Sequence, residues 1–145
     1  MKLLTNVQAK RLDNIALKKY NKAGSSLMKN AGNCISKLAI SLLQEVKNPE
    51  ILIICGKGNN GGDGFAAASI LYDNGYNVKI HTLIPENEIS GEGLKYFIEC
   101  KKKGVLISFC LDIQNSCSPD LIIDGLFGTG LSRTISPEIF IYIQW

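Results

Sequence analysis

The chain has 145 residues, of which 46% are hydrophobic and 20% charged, with 16 basic against 13 acidic side chains and a net charge of +3. These proportions describe one globular domain with a real core and exclude a disordered chain, while the dispersed basic residues give no footprint for nucleic acid. Five cysteines (Cys34, Cys55, Cys100, Cys110, Cys117) without CxxC spacing argue for a reducing, cytoplasmic setting, and no apolar run approaches a membrane span or survives Thr5 and Asn6 as a signal core.

Thr5 and Gln8 form a capping-box pattern ahead of Leu12, Ile15 and Ala16, with Lys18 and Lys19 on the other side, so the first element is a short amphipathic helix. After Gly24, Ser25 and Ser26 offer N-cap oxygens to a second helix. Its apolar residues Leu27, Met28, Ala31, Ile35, Leu38, Ala39, Leu42 and Leu43 recur at spacings of three and four, which predicts one broad buried face. Pro49 ends that region, and the continuous apolar run at 51–55 suits a central parallel strand covered on both faces. A glycine cluster follows, then a helix through Phe65, Ala66, Ala67, Ala68, Ile70 and Leu71 that stops near Asn74 and Gly75.

Residues 78–84 read as the next strand, with His81, the single histidine, as a packed strand residue. Residues 90–103 read as a helix stopped by Gly104, its Lys101, Lys102 and Lys103 forming a solvated end that suits the negative end of the helix dipole. Residues 105–109 and 121–123 complete the strands. Strands alternating with helices imply right-handed βαβ units. The expected fold is therefore α/β: a three-layer doubly wound, Rossmann-like, mostly parallel sheet with N-terminal helices.

Between the first strand and its helix lies Gly56-Lys57-Gly58-Asn59-Asn60-Gly61-Gly62-Asp63-Gly64, where an open α/β sheet places its ligand crevice. Glycines admit positive φ and let backbone N–H groups approach a guest, and the helix N-terminus adds about half a positive charge. An anionic, phosphate-bearing ligand is expected. Gly56, Gly58 and Gly61 satisfy GxGxxG, but the acidic residue that should end the second strand is replaced by Thr82-Leu83-Ile84-Pro85, with Glu86 only beyond the proline. A generic Rossmann NAD(P)-binding protein is thus an alternative, not the leading reading. No Lys-Ser or Lys-Thr pair closes the segment as a Walker loop. Asn59, Asn60 and Asp63 offer oxygens of the kind hard cations take; equally, Asp63 could cap the helix and the asparagines could fill left-handed turns.

A second apolar strand runs into Asp124-Gly125-Leu126-Phe127-Gly128-Thr129-Gly130-Leu131-Ser132-Arg133. Asp124 falls at a strand's carboxyl end and should face the same crevice as the first loop. Taken alone, Asp124 could cap its loop and Arg133 could be a solvated charge.

These two segments, together with Leu27-Met28-Lys29-Asn30-Ala31-Gly32 in the second helix, resemble the YjeF N-terminal domain, a family comprising the NAD(P)H-hydrate epimerases and the apolipoprotein A-I binding protein. The resemblance implies epimerisation of the hydrated dinucleotides NADHX and NADPHX in nicotinamide nucleotide repair. It implies a potassium ion (K+) on Asn60 and Asp124. Substrate contacts would come from Asn59, Asn60, Gly61, Gly62 and Asp63, and from Gly128, Thr129, Gly130, Leu131, Ser132, Arg133 and Thr134. Asp63 and Asp124 are the carboxylates available for acid and base catalysis, Asp124 as cation ligand and orienter and Asp63 as substrate contact. A dehydratase, fused or separate, is the implied partner.

The resemblance takes residues 1–145 as one such domain, cut short at its C-terminus, because family members continue through a further strand with an Asp-x-Pro-Ser-Gly type segment. The apolar tail at 139–145 then lacks partners, which points to self-association, a homodimer being the simplest form. The competing reading is a non-catalytic nucleotide-binding or scaffold domain that keeps the fold alone.

Overall fold

A computed structural model describes residues 4–19, 24–109, 118–128, 131, 134, 135, 137, 139 and 140. Helices α1 (Asn6–Lys19) and α2 (Gly24–Leu42) precede strand β1 (Glu50–Cys55), helix α3 (Asn59–Asp73) and strand β2 (Asn77–Thr82). A single 3₁₀ turn (Glu86–Glu88) leads to helix α4 (Gly91–Lys103), and strands β3 (Leu106–Ser108) and β4 (Leu121–Gly125) follow. The described strands form one sheet in the order β3-β2-β1-β4, and each neighbouring pair is parallel. The expected α/β class therefore stands, with β1 in the centre. The strand order reverses between β1 and β4, the point at which such sheets open a ligand crevice.

Burial follows the two-residue period of the pleat. Ile51, Ile53 and Cys55 of β1 join Val78 and Ile80 of β2 in the main core with Phe65, Ala66, Ala67, Ala68 and Leu71 of α3, Phe97 and Cys100 of α4, and Met28 and Ala39 of α2. On the opposite face Leu52, Ile54 and Leu126 cluster, with Leu83, Phe127 and Ile139 against them. Both faces of β1 are thus covered, as its unbroken apolar run requires. His81 lies buried in β2. Among the described residues no helix is long and apolar enough to cross a membrane.

Several local expectations need correction. The Thr5 box forms as read, the Thr5 backbone N–H donating to Gln8 Oε1 at 2.9 Å and the Gln8 N–H to Thr5 Oγ1 at 3.3 Å. The apolar side chains behind it stay in solvent, however, with Leu12 and Ile15 both exposed. Ser26 is not a cap, because α2 already begins at Gly24. Leu38 and Leu42 are exposed as well. The buried stripe of α2 runs instead through Met28, Gly32, Ser36, Ala39 and Leu43.

Small residues on that stripe let α2 meet α3 backbone to backbone. A Cβ on Gly32 would lie 2.8 Å from Ala66 Cβ and 3.0 Å from the Ala67 nitrogen, and Ser36 Oγ donates to the Ala67 carbonyl at 3.3 Å. The lysine run at the end of α4 is also more than a solvated tip. Lys103 Nζ donates to Ser69 Oγ at 2.6 Å, Asp73 Oδ2 at 2.6 Å and Glu99 Oε1 at 2.7 Å, fastening α4 to α3. Lys101 pairs with Glu86.

Candidate functional site

Both glycine-rich turns leave the carboxyl ends of neighbouring strands. Asp124 stands beside Ile54 and Gly125 beside Cys55 in the parallel β1–β4 register. The ladder continues one step past the strands, where the Gly56 N–H donates to the Gly125 carbonyl at 3.0 Å. Beyond that, the Asn60 side-chain amide Nδ2 donates to the Phe127 carbonyl at 2.9 Å. The two turns therefore lie against one another at the carboxyl ends of β1 and β4.

The glycines are required for a different reason from the one anticipated. None of those described in either turn has positive φ. Close approach decides them: a Cβ on Gly56 would fall 2.0 Å from the Leu126 carbonyl oxygen, and one on Gly61 would fall 1.9 Å from the Gly56 carbonyl oxygen. Each distance is far inside contact, so a side chain at Gly56 would push the two turns apart and one at Gly61 would distort the first turn. Gly58 differs, since a Cβ there would meet nothing within 4 Å. It is the N-cap of α3, with φ −94° and no side-chain cap.

The asparagines and Asp63 belong to α3 itself. The helix starts at Asn59, so Asn59, Asn60, Gly61, Gly62 and Asp63 form its first turn and the start of its second. Asp63 is therefore not a cap, and neither asparagine takes a left-handed turn. The N–H groups at this end have no side-chain cap, and the positive end of the helix dipole lies here.

Asn60 is half-buried, and its amide orientation is fixed chemically, because only the NH₂ side can face a carbonyl. Its Oδ1 acceptor is thereby turned away from Phe127. Asp124 is exposed, and its Oδ1 accepts from the Leu126 N–H at 2.8 Å, which holds the carboxylate over the start of its turn.

Asp63 is half-buried, and its carboxyl is pushed up to about 6, first by burial and then by the charge of Asp13 on α1. Burial raises a carboxyl because the ionised form loses more hydration than the neutral one. An acid of that strength exchanges its proton near neutral pH.

Of the remaining expected site residues, Gly128 lies beside Asn60, a Cβ there falling 3.3 Å from Asn60 Cβ. Leu131 and Thr134 are exposed, and the Leu131 N–H donates to the Gly128 carbonyl at 3.3 Å. Thr129, Gly130, Ser132 and Arg133 lie outside the described residues, as do Cys110 and Cys117. Among the described residues no three His, Cys, Asp or Glu side chains gather as a metal cluster. One feature of the crevice rim escaped the sequence reading. Lys57 Nζ meets Glu88 Oε2 at 2.8 Å, linking the first glycine turn to the 3₁₀ turn after β2. Pro85 hid the acid from a search confined to the strand end.

Sheet order and the two adjoining glycine turns together define a protein of the doubly wound α/β class. The chain belongs to the family described as YjeF-related protein N-terminus, whose model matches residues 24–145. It is 36% identical, over 99% of its length and 29% of the relative's, to the bifunctional NAD(P)H-hydrate repair enzyme Nnr of Dictyoglomus turgidum. It is 32% identical to the NAD(P)H-hydrate epimerase of Rhodopirellula baltica, over 88% of this chain and 52% of that one. With the NAD(P)H-hydrate epimerase of Oenococcus oeni it shares 32% identity over 94% of this chain and 63% of the relative. The chain thus spans less than two thirds of each of these curated relatives. The crystal structure of yeast ynu0 matches with a TM-score of 0.86 at 19% identity, covering 99% of this chain and 64% of that one, a likeness of fold.

Proposed function

We propose that this chain carries the substrate crevice of an NAD(P)H-hydrate epimerase, interconverting the R and S forms of NADHX and NADPHX in nicotinamide nucleotide repair. The observation that carries this reading is the Asn60–Phe127 bond, which ties two glycine turns into one cavity edge at the sheet's switch point. A pyrophosphate would rest on the α3 N-terminus, approached over Gly58, where no side chain stands in the way. Asn59, Asn60, Gly61, Gly62 and Asp63 would line one side, and Gly128, Leu131 and Thr134 the other.

Epimerisation requires the bond to the added hydroxyl, or the ring bond beside it, to break and re-form on the other face. Asp63 is suited to deliver and recover the proton, since its carboxyl lies near neutrality. Asp124, held by the Leu126 N–H, orients the reacting end.

The donor set suits a hard cation: Asn60 Oδ1 and the second Asp124 oxygen would be its oxygen ligands, on turns already bonded to each other. Potassium bound there would offset phosphate charge and hold the turns in register. A cytoplasmic setting, a dehydratase as a fused or separate partner, and pairing of two copies belong to the same proposal. The bifunctional relatives support the second and the exposed Val7, Leu12 and Ile15 of α1 the third.

The test is to supply purified protein with potassium and a single hydrate epimer and follow the epimer ratio by chromatography. A ratio that stays fixed, while a full-length relative shifts it under the same conditions, would refute catalysis by this chain. The non-catalytic reading would then be favoured if NADP-type ligands still raised its melting temperature.

A further inference from the structure

The crevice has a second flank, on the β2 side, and its chemistry bears on which dinucleotide is held. Lys57 lies between the end of β1 and the α3 N-cap, and Glu88 lies in the turn after β2, so their 2.8 Å ion pair bridges the carboxyl ends of β1 and β2. The Asn60–Phe127 bond closes the β4 side of the same helix end. A pyrophosphate on α3 therefore has one arm directed toward Asp124 and the other toward Lys57 and Glu88. In sheets of this class the ribose of the second arm is read at the end of β2, by an acid that accepts from the 2′-hydroxyl or by a cation that takes a 2′-phosphate. Here the strand itself ends in Thr82, whose Oγ1 accepts from the Ile84 N–H at 3.3 Å, and the acid comes from the following turn, already paired with a lysine.

Resting on the dinucleotide reading above, we infer that Lys57 and Glu88 are the specificity-determining pair for the ribose 2′ position. Glu88 accepts from a free 2′-hydroxyl, and Lys57 swings from Glu88 to a 2′-phosphate. Both side chains are accessible to a guest, at 61% and 50% exposed. Their pairing holds both in place until a guest engages one of them, so one crevice admits both phosphorylation states.

The experiment titrates wild type, Lys57→Gln and Glu88→Gln with NADP+ and with NAD+ by calorimetry at low salt, circular dichroism establishing that each variant is folded. Lys57→Gln should weaken NADP+ relative to NAD+ by about tenfold, the scale of a lost hydrogen bond to a charged group. Glu88→Gln should shift the ratio the opposite way, since the phosphate no longer competes with a carboxylate. Added salt should erase most of the NADP+ advantage. If wild type binds both nucleotides and neither variant moves the ratio, the inference fails while the crevice reading stands. If wild type binds neither, both fall.

Discussion

The Asn60 side-chain amide donates to the Phe127 carbonyl at 2.9 Å, so a residue in the first turn of α3 fixes the position of the turn that follows β4. Asn60→Ala removes that tie and leaves a part-buried carbonyl without its donor. We expect a loss of about 1–2 kcal/mol in denaturant unfolding. The thermal shift given by NADP+ should disappear along with it. Retention of the full shift would mean that the two turns need no side-chain link.

Gly61 and Gly58 should respond in opposite ways to the same substitution. At Gly61 the new methyl would lie 1.9 Å from the Gly56 carbonyl oxygen, and Gly61→Ala should cost more than about 3 kcal/mol or prevent folding. At Gly58 nothing lies within 4 Å, and Gly58→Ala should cost under about 1 kcal/mol, the scale of a weaker N-cap. Ligand binding should nevertheless fall in the Gly58 variant, because the methyl stands in the approach to the helix end. Chemical denaturation and calorimetry on the pair would test both halves.

Asp63 carries a pH signature. Its carboxyl is raised in the folded chain from an ordinary 3.8 to about 6, so the folded state holds the proton more tightly than the unfolded one. The associated stability is fully present below about pH 4 and is lost as pH rises through about 6. Asp63→Asn should therefore melt higher than wild type at pH 7 to 8, with the gap closing toward pH 4, while epimerase activity drops. An unchanged gap across that window would mean that the carboxyl titrates as if in water.

Lys103 predicts the reverse slope. Its ammonium, with Ser69, holds the Glu99 carboxyl below the usual range. That contribution is present above the ordinary glutamate value and fades as pH falls. Lys103→Met should cost about 1 kcal/mol at neutral pH, after allowance for solvent screening, and less under acid conditions. Melting curves from pH 7 down to pH 3 would read the trend.

The α2–α3 crossing is sensitive to volume. Gly32→Val would place branched carbons against the Ala66 side chain and the α3 backbone, where even a Cβ lies within 3.0 Å. A loss of about 2 kcal/mol or more is expected, with both helices retained by circular dichroism.

Much of this was legible in the chain because its signals are local. The apolar run of β1, the Thr5 box and the Gly104 stop each involve neighbours a few positions apart, and each was read correctly. The second helix went astray because apolar periodicity weighs Leu38 and Leu42 above Gly32 and Ser36, whereas packing against α3 selected the small residues. Glycine and asparagine are poor helix formers, so the chain alone assigns the start of α3 to a loop. Tertiary contact with the β4 turn outweighs that preference. Lys57 with Glu88, and Lys103 with Ser69 and Asp73, were invisible for a simpler reason: about 30 residues separate the partners, and no pattern along the chain announces them.

Two kinds of glycine coexist in this protein, and mirror-image residues would tell them apart. Gly75 and Gly104 have φ of 82° and 85°, strained for an L residue and natural for its mirror image, so a synthetic chain carrying D-alanine at either should fold at least as well as the parent. At Gly61 an L side chain is refused by contact, since the obstacle to its Cβ is the neighbouring peptide and not the torsion angle. Gly56 and Gly61 thus refuse an L side chain by contact, while Gly75 and Gly104 refuse one by torsion.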